Sequence, residues 1–401
     1  MTQEFSWRQP PPPTTGQVVA SWAHHSIRQR LPDIARRTLS DTKLAPHRGR
    51  AVESLAAEIP AGPIRQLESI GLEDETTWRE YVEPYVGQNW LTPPWFFVET
   101  YFYRRMLVAT GWNPARPQQT DPFRIQKQRG LEHGLAAMPF GPDLRSLADL
   151  LLSSLWGNQA DLSLWPGGDE PGNEAPSPSG ERLLMDNRAD VVNLLATLPP
   201  NRQIDLVLDN AGAELLADLD LVQRLLTHGC RLWLHLKGHP TFVSDATLLD
   251  WQVTLQALTR SNDAGRSLAG SLVEAQRAGR LELASHTYWT SPLAGWELPS
   301  DLRTTLASSS LILVKGDANY RRLLGDRRWP PTQALAPALD YLPAPVALLR
   351  SLKCELAVGL STDVIRRAEA ADPAWMVNGR WGLIQFYAAG PGIGRIDGTS
   401  A

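Results

Sequence analysis

Residues 204–237, IDLVLDNAGAELLADLDLVQRLLTHGCRLWLHLK, decide the fold. The run from Ile204 to Leu208 is short, continuous and apolar, as a strand covered on both faces should be. AELLADLDLVQRLLTH then repeats Leu215, Leu219, Val222 and Leu226 at helical spacing, and Gly229 is placed to end the helix. RLWLHLK reads as the next strand. Strand, helix and strand in so little chain predict a parallel pair with a right-handed crossover. Further along, LILVK (311–315) reads as a third strand, ELAVGL (355–360) as a fourth and GLIQFY (382–387) as a fifth. Ser244 is placed to cap a helix whose inner face is Leu248, Trp251, Leu255 and Leu258. The expectation is an α/β unit with a mainly parallel sheet over residues 183–388.

Upstream the period changes. WFFVETYFYRRMLVATGW (95–112) repeats Phe97, Tyr101 and Leu107 every three or four positions or so, and LRSLADLLLSSLWGNQADLSL (144–164) puts Leu144, Leu147, Leu151 and Leu155 on one face. Residues 18–164 are therefore predicted to form a helical subdomain. Residues 1–17 are proline-rich and polar and are expected to be a disordered tail. Residues 165–182, WPGGDEPGNEAPSPSGER, predict a flexible insertion or linker. At 389–401 the Gly-x-Gly-x-Gly run of GPGIGRIDG has too few residues after it for the helix of a dinucleotide fingerprint, so a flexible tail is expected.

Composition bounds the function. The 401 residues are 43% hydrophobic and 20% charged, with a net charge of −4 and a pI near 6.1. This is an ordinary globular balance, and it argues against a nucleic-acid or anionic-membrane surface as the main partner. No apolar signal core and no run of roughly 20 apolar residues occurs, so a soluble cytoplasmic monomer is expected. Cys230 and Cys354 sit in apolar sequence without zinc spacing and are expected to be buried thiols. No HExxH, GxxxxGK[ST] or GxSxG pattern occurs.

The chemistry gathers where strands end, the place at which open α/β sheets bind ligands. Asp209 and Asn210 follow the 204–208 strand, and Ala211-Gly212 supplies the turn that lets both reach one ion. A carboxylate beside an amide oxygen is a hard-oxygen pair suited to Mg2+ or Mn2+. Glu214, in the first helical turn, is either a macrodipole partner or a ligand to substrate hydroxyls. Lys237 leaves the second strand; Asp245 then reads either as an ordinary helix N-terminal acid or as the ion's second carboxylate. Lys315, Gly316 and Asp317 follow LILV, with Asn319, Tyr320 and Arg321 opening a helix. Glycine permits close approach, lysine supplies a point charge and arginine a planar fork for phosphate oxygens. Arg350 and Lys353 add two cations, unless they belong to a solvated face. Asp209 or Asp317 is the candidate to activate water, and Asp209 could also attack directly.

These segments resemble a known family. DNAGAELLADL, PTFVSDAT, LVKGDANYRRLLGD, NGRWGLIQF, WFFVETYFYRRML, SLWGNQADLSL and LLMDNRADVVNLL are similar to the damage-control phosphatases, formerly domain of unknown function 89. The nearest likeness is to the subfamily of metal-dependent sugar-phosphate phosphatases, some of which were also described as acidic-residue methyltransferases. The resemblance implies a three-layer αβα domain with a helical N-terminal subdomain. It implies a divalent cation (Mn2+, or Co2+, Ni2+ or Mg2+) held by Asp209, Asn210 and Asp245. It further implies substrate contacts from the Asp317–Arg321 segment and from Arg350 and Lys353, where Arg350-Ser351-Leu352-Lys353 stands for the subfamily's Arg-Thr-x-Lys. Ala318 replaces a usual leucine, which touches packing rather than chemistry. The activity implied is hydrolysis of small phosphorylated metabolites such as fructose 1-phosphate. The rival is a protein-glutamate O-methyltransferase using S-adenosylmethionine, whose usual glycine-rich loop DNAGAEL matches poorly; a further rival is a sugar-phosphate sensor without turnover.

Overall fold

The computed structural model describes residues 10–137, 145–157 and 180–388. Its centre is a seven-stranded sheet: β1 Leu183–Asp186, β2 Gln203–Val207, β3 Arg231–Leu236, β4 Leu281–Ser285, β5 Leu311–Lys315, β6 Val346–Ser351 and β7 Gly382–Tyr387. The spatial order is β1-β7-β6-β5-β2-β3-β4. Only β6 and β7 pair antiparallel; every other ladder is parallel.

Alternation along the strands builds a core on each face. Ile204, Leu206, Leu234 and Leu313 pack with the helices Leu147–Trp156, Ala213–Thr227, Leu248–Thr259 and Asp263–Arg277. Val207, Ile312, Val314 and Leu348 pack on the other side with Ser300–Ala307, Asp317–Leu323 and Thr362–Ala371. The result is the expected three-layer αβα unit. Asp205, a carboxylate inside β2, is tolerated because the buried His235 imidazole bonds it (Nε2 to Oδ1, 2.7 Å). The Trp289 indole N–H in turn reaches His235 Nδ1 (3.3 Å), which leaves Nε2 as the donor to Asp205.

A third core fills the N-terminal unit, where Ile27, Leu31, Val52, Leu55 and Trp90 surround the helix Trp95–Thr110. Phe242 and Val243, from the segment after β3, belong to this same core. The two units therefore share packing at the stretch that carries Asp245. No described helix is long and apolar enough to cross a membrane.

Several expectations are corrected. The 204–208 strand is second in chain order, because Leu183–Asp186 forms a short strand before it, and LELAS forms β4. ELAVGL is not a strand; VALLRS is. The carbonyls of Cys354, Leu356 and Val358 instead receive the side chains of Arg350 and Gln385, which replaces a ladder. The helix after β3 is capped by Thr247 in a capping box with Asp250, and Leu248 is 41% exposed rather than inward. The helix Leu147–Trp156 packs on the sheet's helix Ala213–Thr227 rather than in the N-terminal core. Residues 10–15 are not tail. Thr14 N–H donates to Asp326 O (3.0 Å), Trp95 N–H donates to Thr14 O (2.8 Å), and Arg328 N–H donates to Pro12 O (3.1 Å). The expected tail at 1–9, most of the 165–182 insertion and the tail at 389–401 lie outside the described residues.

His239, just after β3, is buried with its ring against Trp112 (centroids 6.1 Å apart). Burial, then the charge of Arg104, pushes its imidazole down to about 4. An unfolded histidine takes up a proton near its ordinary 6.5, so between these values the unfolded chain binds a proton that the folded chain refuses. Stability should fall as pH drops from about 6.5 to about 4. A series of urea midpoints across this window checks it: the wild-type slope should be steeper than that of His239→Gln, and parallel slopes would remove the assignment.

Candidate active site

The chain goes from β2 to β3 and β4 on one side, then crosses back to β5 on the other. This reversal opens a crevice at the carboxyl ends of β2 and β5, the position at which such sheets bind ligands. Asp209 and Asn210 leave β2 there, and Gly316 and Asp317 leave β5.

Asp209, Asn210 and Asp245 come together as expected. Asn210 forms an antiparallel bridge with Asp245, Ala246 N–H donates to Asp209 O (2.8 Å), and Ala211 N–H donates to Ser244 O (2.7 Å). The loop carrying Asp245 is thereby stitched edge-on to the end of β2. Asp245 precedes its helix by too much to be a helix N-terminal acid, so that alternative is dropped. Phe242 (φ 45°) and Val243 (φ 68°) hold left-handed backbone just before it. For a β-branched or bulky side chain this is strained, and such strain clusters at functional sites. Val243 is buried in the N-terminal core and the partly buried Phe242 packs against it, which holds the conformation.

The polar bonds orient each donor. Asn210 Nδ2 donates to Asp209 Oδ2 (2.9 Å) and Glu214 Oε2 (2.7 Å), while its Oδ1 accepts from the Ser244 hydroxyl (2.6 Å). Two acceptors on the nitrogen and one donor on the oxygen fix which way the amide points. Asp245 Oδ2 is paired with Lys237 Nζ (2.6 Å). Asp209 Oδ1 and Asp245 Oδ1 are buried with no hydrogen-bond partner among the described residues. Burial, then the charges of Glu214 and Asp245, pushes the Asp209 carboxyl well above the usual carboxylate range; burial also raises Asp245 against the pull of Lys237. A buried, unpartnered carboxylate oxygen costs on the order of 1–3 kcal/mol. Two of them flanking an oriented amide make a donor set that fits a hard dication with water completing its shell. No three His, Cys, Asp or Glu side chains are grouped to hold a metal by themselves among the described residues; this set has two carboxylates and an amide.

The cations are placed differently from the expectation. Lys315 Nζ is consumed by Glu214 Oε1 (2.9 Å), Asp218 Oδ1 (3.0 Å) and the Ser154 carbonyl. Arg321 forks onto Asp326 (3.1 Å to each oxygen) and reaches Glu99 Oε2 (2.5 Å). Arg350 is fully buried, bonds Asp317 Oδ1 (2.8 Å from Nη2) and the Leu356 and Cys354 carbonyls, and lies over the Tyr320 ring at 4.3 Å. Asn319 donates to Leu208 O (3.1 Å) and Lys315 O (2.8 Å), lacing β2 to β5. Tyr320 bonds Gln385 (3.1 Å). These groups brace the site with protein partners. Lys353 differs: no hydrogen bond or ion pair engages its ammonium among the described residues, and its charge reaches Asp209. Asp317 accepts from Lys353 N–H (3.2 Å). Burial alone would raise its carboxyl, but the charges of Arg350 and then Arg321 hold it below the usual range.

Ser244, Lys237 and Glu99 are site-shaping residues that the sequence reading did not assign. Ser244 and Lys237 had a signal, since they flank Asp245 in the quoted LHLKGHPTFVSDAT; Glu99 sits on a remote helix and had none.

Three comparisons bear on this geometry. A family model described as "Damage-control phosphatase ARMT1-like domain" matches residues 26–367. The chain is similar to "Damage-control phosphatase ARMT1" of Danio rerio (30% identity, covering 94% of this chain and 97% of that one). It is also similar to the protein of that name from Mus musculus (34%, covering 78% and 80%). A solved DUF89 family protein from Pyrococcus horikoshii superposes with a TM-score of 0.50 at 13% identity, over 90% of this chain and 97% of that one. This last likeness speaks for the fold alone.

Gly316 adopts φ 86° and ψ 169°, and a Cβ there would lie 1.9 Å from Asp209 Oδ2. Gly316→Ala should displace the Asp209 carboxylate and cost about 1–3 kcal/mol. A lowered urea midpoint and a rotated Asp209 in a crystal structure of the variant are the expected readings; wild-type stability with Asp209 in place would contradict them.

Proposed function

The chain belongs to the damage-control phosphatase ARMT1-like family, and on that premise we propose that it is a divalent-metal-dependent phosphatase acting on small phosphorylated metabolites, sugar phosphates such as fructose 1-phosphate among them. The observation that carries the reading is the pair of buried, unpartnered oxygens, Asp209 Oδ1 and Asp245 Oδ1, on either side of an amide held in one orientation.

Asp209, Asn210 and Asp245 would hold the ion, for which Mn2+, Co2+, Ni2+ and Mg2+ are the candidates. When bound, the cation supplies Lewis-acid polarisation of the phosphoryl group and offsets its charge. Lys353, the uncommitted cation, binds the phosphate oxygens and neutralises charge that grows in the transition state. Asp317, kept ionised by Arg350 and Arg321, orients the attacking water. Asp209 is the alternative group to act on the attacking oxygen, as base or as nucleophile. Arg321, Arg350, Asn319 and Tyr320 act through position, fixing Asp317 and the turn that carries it. Lys315 does the same for Glu214, and through Glu214 for the Asn210 amide. Burial around these groups excludes bulk water, which strengthens each charge interaction.

A methyl-donor site finds no support in the β2 turn, which presents carboxylate and amide oxygens. Titration calorimetry with S-adenosylmethionine should therefore show no binding heat.

Phosphate release from phosphosugars with Mn2+ should fall at least about a hundredfold in Asp209→Ala and in Asp245→Ala. Lys353→Met should raise KM about tenfold or more. A chelator should silence the wild type, and added Mn2+ should restore it. Near-normal turnover by Asp209→Ala, or full activity in chelator, would end the proposal.

A further inference from the structure

The helix Arg124–Ala137 buries one stripe: Lys127, Gly130, Leu131 and Gly134. Their spacing puts all four on one face. A leucine belongs there, but a buried lysine needs partners and two glycines need a reason. Close approach is the reason for the glycines. A Cβ on Gly134 would lie 2.8 Å from Ala213 Cα, and a Cβ on Gly212 would lie 3.1 Å from the Gly130 carbonyl carbon. The helix therefore sits directly on the turn that follows Asp209 and Asn210.

Lys127 serves the other loop of the site. Its ammonium bonds Asp250 Oδ2 (2.8 Å) and Asp121 Oδ2 (3.1 Å). The same Asp250 oxygen accepts from the N–H (2.8 Å) and the hydroxyl (2.7 Å) of Thr247, two residues after Asp245. Before Asp245, the Phe242 ring packs on Tyr103 (centroids 5.1 Å apart) and Tyr103 packs on Phe123 (5.9 Å). Phe123 N–H in turn donates to Asp121 Oδ1 (2.8 Å). Residues 121–134 thus hold both ends of the 242–247 loop as well as the turn at 212–213. Burial alone would lower the Lys127 ammonium, but the charges of Asp121 and then Asp250 hold it above its ordinary range.

We propose that Lys127 is a positioning residue of the metal centre: seated beside its two glycines, it keeps the loop that carries Asp245 in register with the turn that carries Asp209 and Asn210. The inference rests on the metal reading above, and Lys127 acts through Asp250 and Thr247. Groups that orient a metal's ligands commonly govern about ten- to a hundredfold of its affinity. A buried ion pair, by contrast, adds little net stability over neutral side chains of similar volume. Positioning and stability therefore separate at this residue.

The test is the double variant Lys127→Met/Asp121→Asn in the intact protein. It removes one positive and one negative charge together, so the local charge keeps its sum. The asparagine oxygen can still accept from Phe123 N–H, and Asp250 still caps Thr247. Titration with Mn2+, followed by the electron paramagnetic resonance of the free ion, should give a dissociation constant about tenfold above the wild type. Amide hydrogens in 242–247 should exchange faster without metal, while the urea midpoint stays close to the wild-type value. Wild-type affinity, or wild-type exchange at 242–247, in the folded double variant overturns the inference. If that variant does not fold, Gly134→Ala, which must lift the helix from Ala213, decides through the same two readings. If the wild type itself takes up no Mn2+, the metal reading fails by itself, and amide exchange alone decides the role of Lys127: faster exchange in the variant supports it and unchanged exchange rejects it.

Discussion

Charge balance at the carboxyl ends of β2 and β5 constrains everything around it. Three acids, Asp209, Glu214 and Asp245, are buried within one crevice, and each ionised acid there needs a cation. Lys315 answers Glu214 and Lys237 answers Asp245 from one side. Asp209 has no ion-pair partner among the described residues, and one oxygen of Asp245 stays open. Lys315 is shared between Glu214 and Asp218, so the crevice holds more buried acid than paired cation, an imbalance that the proposed dication would offset.

The same accounting explains why arginine was the hardest residue to read from sequence. Arg321 and Arg350 stand in a run that looks built for phosphate, yet each is buried and fully bonded to its own chain. A planar fork fits a carboxylate pair and a carbonyl pair as well as it fits a phosphate, so the residue type alone could not separate brace from contact. Burial separates them. Lys353 is half-buried, and its ammonium is left without a partner among the described residues.

Legibility followed the range of the interaction. The 204–237 stretch showed strand, helix and strand because its information is local periodicity, and Gly229 (φ 90°) sits where the helix ends. The grouping of Asp209, Asn210 and Asp245 was legible through resemblance and strand-end position. The strand VALLRS was misplaced onto ELAVGL since both are short apolar runs, and only the buried Arg350 and Gln385 side chains decide which one keeps its carbonyls for a ladder. The cap at Thr247 was misread because Ser244 is equally competent as a cap and is used instead to orient Asn210. Glu99 lay beyond reach: its bond to Arg321 joins two helices far apart in the chain, and nothing in either segment announces it.

Thr14 touches both halves at once, its amide on Asp326 of the sheet unit and its carbonyl under Trp95 of the helical unit. It works as a clasp: the halves cannot part along that seam until these two bonds let go. A chain shortened past this residue would lose both bonds at once and loosen the seam between the halves.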